Sequence, residues 1–153
     1  MPAVRFNKLS LEQVRPQLPP DLLKATEDIL AQLDAGKTVE SVPPALNMLF
    51  RPSVQPYLIS WLRYDPAKEI AKLHIPVLIV QGTTDIQASL QDSKALAGAN
   101  PAATLLLIDG MNHVFKTVPA DRDKQMASYS DPALPVAPDL INGISNFVIK
   151  VKS

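Results

Sequence analysis

Apolar positions along this chain follow two different periods, and the change falls near residue 64. Before it the recurrence is helical. Leu22, Leu23, Ala25, Ile29, Leu30 and Leu33 return at helical spacing after Leu18-Pro19-Pro20-Asp21, which predicts a helix that Gly36 stops in a left-handed conformation. Pro43-Pro44 sets the first turn of a second short helix from Pro44 to Phe50. A third is expected from Ser53 to Leu62, where Val54, Tyr57, Leu58, Trp61 and Leu62 share one face. Residues 1–64 hold no run that reads as a strand.

Residues 65–153 have a different grammar. Val77-Leu78-Ile79-Val80-Gln81-Gly82 is an unbroken apolar, largely β-branched run ended by glycine, and Thr104 to Asp109 is a second. A helix from Ser89 to Ala97 separates them, so strand, helix and strand form a parallel βαβ unit of right-handed crossover. Strands hydrophobic on both faces belong inside a sheet covered by helices. The final element, Pro138 to Val151, aligns Leu140, Ile141, Ile144, Phe147, Val148 and Val151 in one stripe, expected to pack on that sheet. The fold class is therefore α/β, with a helical segment at 1–64 and the βαβ unit plus terminal helix in 65–153. Two buried strands rarely make a stable sheet, and an open hydrophobic edge invites association. Further strands, a partner subunit or a part of the protein outside this chain must cover that edge. One such arrangement is a homodimer pairing edge to edge about a two-fold axis.

Composition narrows the classes. At 153 residues the chain suits one ordinary domain, and 46% apolar residues are enough for a real core. Fifteen Lys and Arg balance fifteen Asp and Glu, and no basic run concentrates charge, which argues against nucleic acid as a partner. With no cysteine, disulfides, thiol nucleophiles and thiolate metal sites are excluded, and the chain suits a reducing compartment, most simply the cytoplasm. The longest apolar runs are strand-sized, so no membrane span is expected, and Met1 to Ser10 has no secretory pattern. The fifteen prolines, about double the average share, fall at element boundaries as punctuation.

Candidate chemistry lies just after the two strands. In open α/β sheets, functional groups gather beyond the carboxyl ends of the strands. Gly82-Thr83-Thr84-Asp85-Ile86-Gln87 follows the first, and Asp109-Gly110-Met111-Asn112-His113-Val114-Phe115-Lys116 follows the second. Asp85 and His113 can meet there. A carboxylate that binds one imidazole nitrogen fixes the tautomer and leaves the other as a general base. The plainer reading of Asp85 is a turn aspartate bonded to nearby backbone. Gln87 and Asn112 are weak substrate-binding candidates whose default role is loop hydrogen bonding. Trp61, with Tyr57 and Leu58, either lines an acyl pocket or belongs to a core stripe, and the stripe is favoured. Asp109 stands near His113 or simply at a solvated strand end. His74 precedes the first strand at its other end and reads as a surface residue. No metal-ligand spacing exists, and no cofactor is implied.

Leu62-Arg63-Tyr64-Asp65-Pro66, Ile75 to Gln87 and Gly110-Met111-Asn112-His113 together resemble the C-terminal half of an α/β-hydrolase, of the serine esterase and lysophospholipase-like kind. The resemblance covers about residues 51–150. Residues 1–50 look like part of the helical cap such enzymes carry, and residues 10–60 would contribute to a lid. It implies a partial hydrolase sheet, Asp85 as triad acid and His113 as base, in the family order of Ser, Asp, His. The implied substrate is a small carboxylic ester or similar acyl compound. The family nucleophile sits in a G-x-S-x-G elbow, and these 153 residues hold none. Gly143-Ile144-Ser145-Asn146-Phe147 lacks the second glycine and lies in the predicted terminal helix. The oxyanion hole would also lie before residue 1, and a single lost oxyanion donor costs on the order of 10² to 10³ in rate. The chain alone is thus expected to be nearly inert. The missing half would come from a separate polypeptide, from a longer natural chain, or from an in-frame stretch upstream of Met1. The alternative is a non-catalytic self-associating or binding module derived from a hydrolase.

Overall fold

The computed structural model describes residues 18–152. The opening of the helical segment, including residues 10–17 of the expected lid, lies outside the described residues. The chain divides between Glu69 and Ile70 into two compact units. The expected change of grammar lies five residues earlier, between Tyr64 and Asp65.

The first unit is helical. Helix α1 (Pro20–Asp34) starts on proline and ends in a Schellman turn: Gly36 has φ 76°, its N–H donates to Leu33 O, and that of Lys37 donates to Gln32 O. The second short helix is a 3-10 turn, Pro44–Leu46, running into α2 (Asn47–Phe50). The third likewise opens as 3-10 at Pro52–Val54 before α3 (Gln55–Leu62). Ile29, Leu33, Leu46 and Phe50 form the core, with Leu58 and Leu62 against it. The stripe expected on α3 is only half used, because Tyr57 and Trp61 remain exposed. Gln55, fully buried, accepts from Val39 N–H at 2.7 Å and donates to the carbonyls of Val39 and Phe50 at 2.8 and 2.7 Å. One amide thus satisfies both backbone groups of Val39, a residue outside the helices, and the carbonyl of Phe50. A short helix, α4 (Pro66–Ile70), spans the division; Asp65 caps it by accepting from the N–H groups of Ala67 and Lys68.

The second unit is the mixed α/β part. Strands β1 (Leu78–Gly82) and β2 (Thr104–Ile108) pair in parallel, from Leu78 opposite Thr104 to Gly82 opposite Ile108. Between them runs α5 (Leu90–Ala99), opened by a capping box in which Ser89 Oγ accepts from Asp92 N–H and the Asp92 carboxylate accepts from Ser89 N–H. After β2 come α6 (Arg122–Ser128) and α7 (Pro138–Lys152). On one face of the sheet Val80, Leu106 and Ile108 pack with Met111, Ala137 and Leu140. On the other, Gln81 points toward the approach to α5 and donates to Ala88 O at 3.0 Å.

Burial departs from expectation in one informative way. Of the α7 stripe, Leu140 is buried and Phe147 half-buried, whereas Ile141, Ile144, Val148 and Val151 are exposed. Leu107 of β2 is exposed as well. The stripe is wider than the surface two strands provide, so its outer half has no sheet beneath it. Among the described residues no further strand joins the sheet, and the other extended contacts are single antiparallel pairs, Met111 with Thr117 and Lys116 with Val136. None of the described helices is long and apolar enough to cross a membrane.

Two glycines mark where backbone or side chain approaches most closely. A Cβ on Gly82 would stand 1.9 Å from the Met111 carbonyl oxygen, and one on Gly143 would stand 2.2 Å from Leu106 Cδ2. The first obstacle is backbone and cannot yield; the second is the tip of a leucine that can rotate. Gly82→Ala is expected to destabilise the chain by about 3 kcal/mol or more. Gly143→Ala should stay within about 1 kcal/mol of the parent, because alanine's helix propensity offsets the repacking. Urea denaturation followed by circular dichroism checks both, and equal losses at the two positions would contradict the assignment.

Candidate functional site

Two loops leave the carboxyl ends of the strands and are bonded to each other along their length. Thr83 N–H donates to Ile108 O at 3.0 Å, and Thr84 N–H donates to Met111 O at 3.2 Å. The side chains repeat the pattern. Thr83 Oγ1 accepts from Gly110 N–H at 2.8 Å and donates to Asp109 Oδ1 at 2.9 Å, and Thr84 Oγ1 donates to Gly110 O at 2.9 Å. Gly110 sits at φ 67°, a left-handed conformation that favours glycine at the root of the second loop.

From that root the chain folds back on itself. Val118 N–H donates to Gly110 O and Asn112 N–H to Lys116 O, at 2.8 and 2.9 Å, which leaves His113 at the tip of a closed turn. Asn112 is 1% exposed. Its Oδ1 accepts from Val114 and Lys116 N–H at 3.2 and 3.0 Å, and its Nδ2 donates to Ser128 Oγ at 2.7 Å. Lys116 then reaches the end of α6, where its ammonium donates to the carbonyls of Ser128 and Asp131. Phe115 closes the turn at φ 64°, with its ring exposed.

Asp85 and His113 meet. His113 Nδ1 lies 3.0 Å from Asp85 Oδ2, across an interval of 28 residues. The other carboxylate oxygen, Oδ1, accepts from Gln87 and Ala88 N–H at 2.7 and 2.9 Å. An ionised carboxylate only accepts, so an ionised Asp85 beside a neutral ring selects the tautomer with the proton on Nδ1 and the lone pair on Nε2. Exposure is asymmetric: the Asp85 side chain is 8% accessible and that of His113 43%. No hydrogen-bond partner for Nε2 is found among the described residues. The turn-aspartate reading and the imidazole-partner reading of Asp85 both hold, one for each oxygen.

The other candidates stand elsewhere. Asn112, a weak cleft candidate with loop hydrogen bonding as its default role, is enclosed in the histidine turn with its amide spent on that turn and on Ser128. Gln87 supports Asp85 with its backbone, while its side chain donates to Tyr129 Oη at 2.7 Å. Trp61 lies in the first unit, tilted against Tyr57 with ring centroids 4.7 Å apart. Asp109 bonds Thr83. His74 is exposed at the opposite end of the strands, beside an open depression of about 710 Å³ that includes Pro76, Ala99 and Asn100. Among the described residues no group of three His, Asp or Glu is placed to hold a metal ion.

The sequence places Thr83, Thr84 and Lys116 within the two loops without giving any of them a role, and it does not point to Ser128. The adjacent hydroxyls after a strand were a visible signal. Nothing in a lone Ser128 announces that it will meet Asn112. Comparison with protein-family models, with curated proteins and with solved structures found no match.

Asn112→Ala removes three side-chain hydrogen bonds and leaves the part-buried N–H groups of Val114 and Lys116 without this acceptor. The expected loss is about 3 kcal/mol or more, since each such group costs about 1–3 kcal/mol. Gln87→Ala loses an exposed bond and should change stability by less than about 1 kcal/mol. Thermal unfolding of both variants measures the contrast.

Proposed function

We propose that the chain is the acid–base portion of a serine hydrolase, with a carboxylic ester or similar acyl compound as substrate. The observation that carries this reading is the 3.0 Å contact between His113 Nδ1 and Asp85 Oδ2, with Nε2 directed away from it. The resemblance of Ile75 to Gln87 and of Gly110 to His113 to α/β-hydrolase segments supports it. In this reading Nε2 takes the proton of a serine hydroxyl as that oxygen attacks the acyl carbon, and returns it to the departing alkoxide. A water molecule then repeats the cycle, giving its proton to Nε2 and releasing the serine. Asp85 holds the ring in orientation and stabilises the imidazolium formed in each half-reaction. The nucleophile and the oxyanion donors come from outside these 153 residues. Ser145 does not serve, because it lies within the regular helix α7.

The expected result with a fluorophosphonate probe is no covalent adduct by intact-mass spectrometry of the isolated chain. A single stoichiometric adduct would mean that one of its own serines is activated. The base itself is tested with p-nitrophenyl acetate, which an oriented imidazole hydrolyses slowly without a serine. In a His74→Gln background, hydrolysis should fall to a histidine-free level in His113→Gln and be reduced in Asp85→Asn. Rates unchanged in His113→Gln would sink the reading.

A second reading, a self-associating module derived from a hydrolase, is favoured by one observation. Ile141, Ile144, Val148 and Val151 are exposed on α7 beside a sheet that has two strands among the described residues. In this reading two copies bury those faces against each other, and Val148→Glu shifts the chain to monomer. Light scattering at micromolar concentration decides it, and a monomeric parent ends this reading.

A further inference from the structure

We propose that Thr83 is a positioning residue for His113, acting through Gly110. The proposal rests on the acid–base reading of Asp85 and His113 and adds to it the group that sets their separation. Asp85 belongs to the loop after β1 and His113 to the loop after β2, so their distance depends on how those loops are joined. Most of the joint is on Gly110. Its N–H is bound by Thr83 Oγ1, and its carbonyl accepts both Thr84 Oγ1 and Val118 N–H. The Val118 bond closes the turn that carries His113, while the threonine bonds tie that turn to the Asp85 loop. Gly110 at φ 67° is free to rotate unless held, so the two hydroxyls select one orientation of its flanking peptides.

Thr83 has the more demanding part. Its hydroxyl proton is committed to Asp109 Oδ1 at 2.9 Å, which leaves its lone pairs directed at Gly110 N–H. Donation to a carboxylate polarises the hydroxyl and strengthens it as an acceptor. Asp109 thereby acquires a role as well: it fixes the hydroxyl rotor and does not itself meet the imidazole. Thr84 binds only the carbonyl, which Val118 also satisfies, so the N–H side of the joint rests on Thr83.

The test reads the His113 tautomer by ¹⁵N spectra that correlate ring nitrogens with ring C–H protons. It is made in a His74→Gln background, so that a single imidazole is seen, and at a pH where that ring is neutral. The parent should show the Nδ1–H form in excess of the Nε2–H form that a free imidazole favours. Thr83→Val should lose at least half of that excess, while Thr83→Ser, which keeps the hydroxyl, should retain it. A Thr83→Val chain with a lower melting temperature but the parent tautomer overturns the proposal and leaves the Asp85–His113 pairing intact. A parent with the free-imidazole distribution overturns the pairing itself, and the positioning role with it. Thr83→Ala is read in the same way if valine prevents folding, as judged by circular dichroism.

Discussion

The backbone of Gly82 passes directly beneath the carbonyl of Met111, and the second unit is arranged around that approach. No side chain fits there, since even a Cβ would stand 1.9 Å from the oxygen. Because Gly82 is bare, the loops after β1 and β2 come close enough for Thr83 and Thr84 to bond the main chain of residues 108–111. The parallel ladder is thereby continued beyond its last paired residues by hydroxyl and amide contacts. A parallel pair of five residues per strand is short. Fixing a further loop residue costs about 1–2 kcal/mol of conformational entropy, which these bonds and the burial of Met111 must offset. Loss of the approach at Gly82 would release both loops at once, and with them Asp85 and His113.

The same unit is built sparingly on its apolar side. Helix α7 offers a stripe from Leu140 to Val151, but the sheet receives only part of it, at Leu140 and at Gly143 where Leu106 presses against the helix. Full burial of an isoleucine or valine contributes about 1.5–3 kcal/mol. Five such side chains on α7, those of Ile141, Ile144, Val148, Ile149 and Val151, remain exposed. Both outer edges of the two-stranded sheet also lack strand partners among the described residues. These two deficits lie in one unit, and each of the proposed readings sets more protein against it. The proposed readings differ only in whether that protein is a nucleophile-bearing half or a second copy.

What was legible in the sequence was what apolar periodicity and turn chemistry encode. Pro20, Gly36, Ser89 and Pro138 mark helix limits within a residue or two of those observed, because proline, glycine and a capping serine act through local backbone geometry. The two strands were legible as apolar runs. Helix α6 was not, because it is docked by polar groups: Gln125 donates to the carbonyls of Val118 and Pro119, Ser128 accepts from Asn112, and Met126 faces solvent. Periodicity detects apolar faces and is blind to a face built from amides and hydroxyls. Gln55 escaped for the same reason. For the candidate site, Asp85 and His113 were legible because strand ends collect functional groups. For Asn112 the default reading, loop hydrogen bonding, describes its contacts; that it is enclosed while the adjacent His113 faces solvent is a distinction made by tertiary contacts alone.

The asymmetry of the Asp85–His113 pair bears on which way it would work. Asp85 is nearly enclosed, and both its oxygens are occupied, one by backbone N–H groups and the other by Nδ1. Its carboxylate therefore has little freedom to turn toward another partner. His113 has one nitrogen bound and stands at the tip of a turn pinned on one side by Thr83 and Thr84 and on the other by Asn112 and Lys116. A structural histidine needs no such support, since an exposed turn tolerates many residues. A general base does need it, because proton transfer in an acyl-transfer step requires a fixed ring presenting a free lone pair at hydrogen-bond reach. The rigid side of the pair faces the protein and the available side faces outward, so anything that uses this imidazole must approach from beyond the ends of the strands. In the proposed reading, that is the side from which a nucleophile outside these residues would reach Nε2.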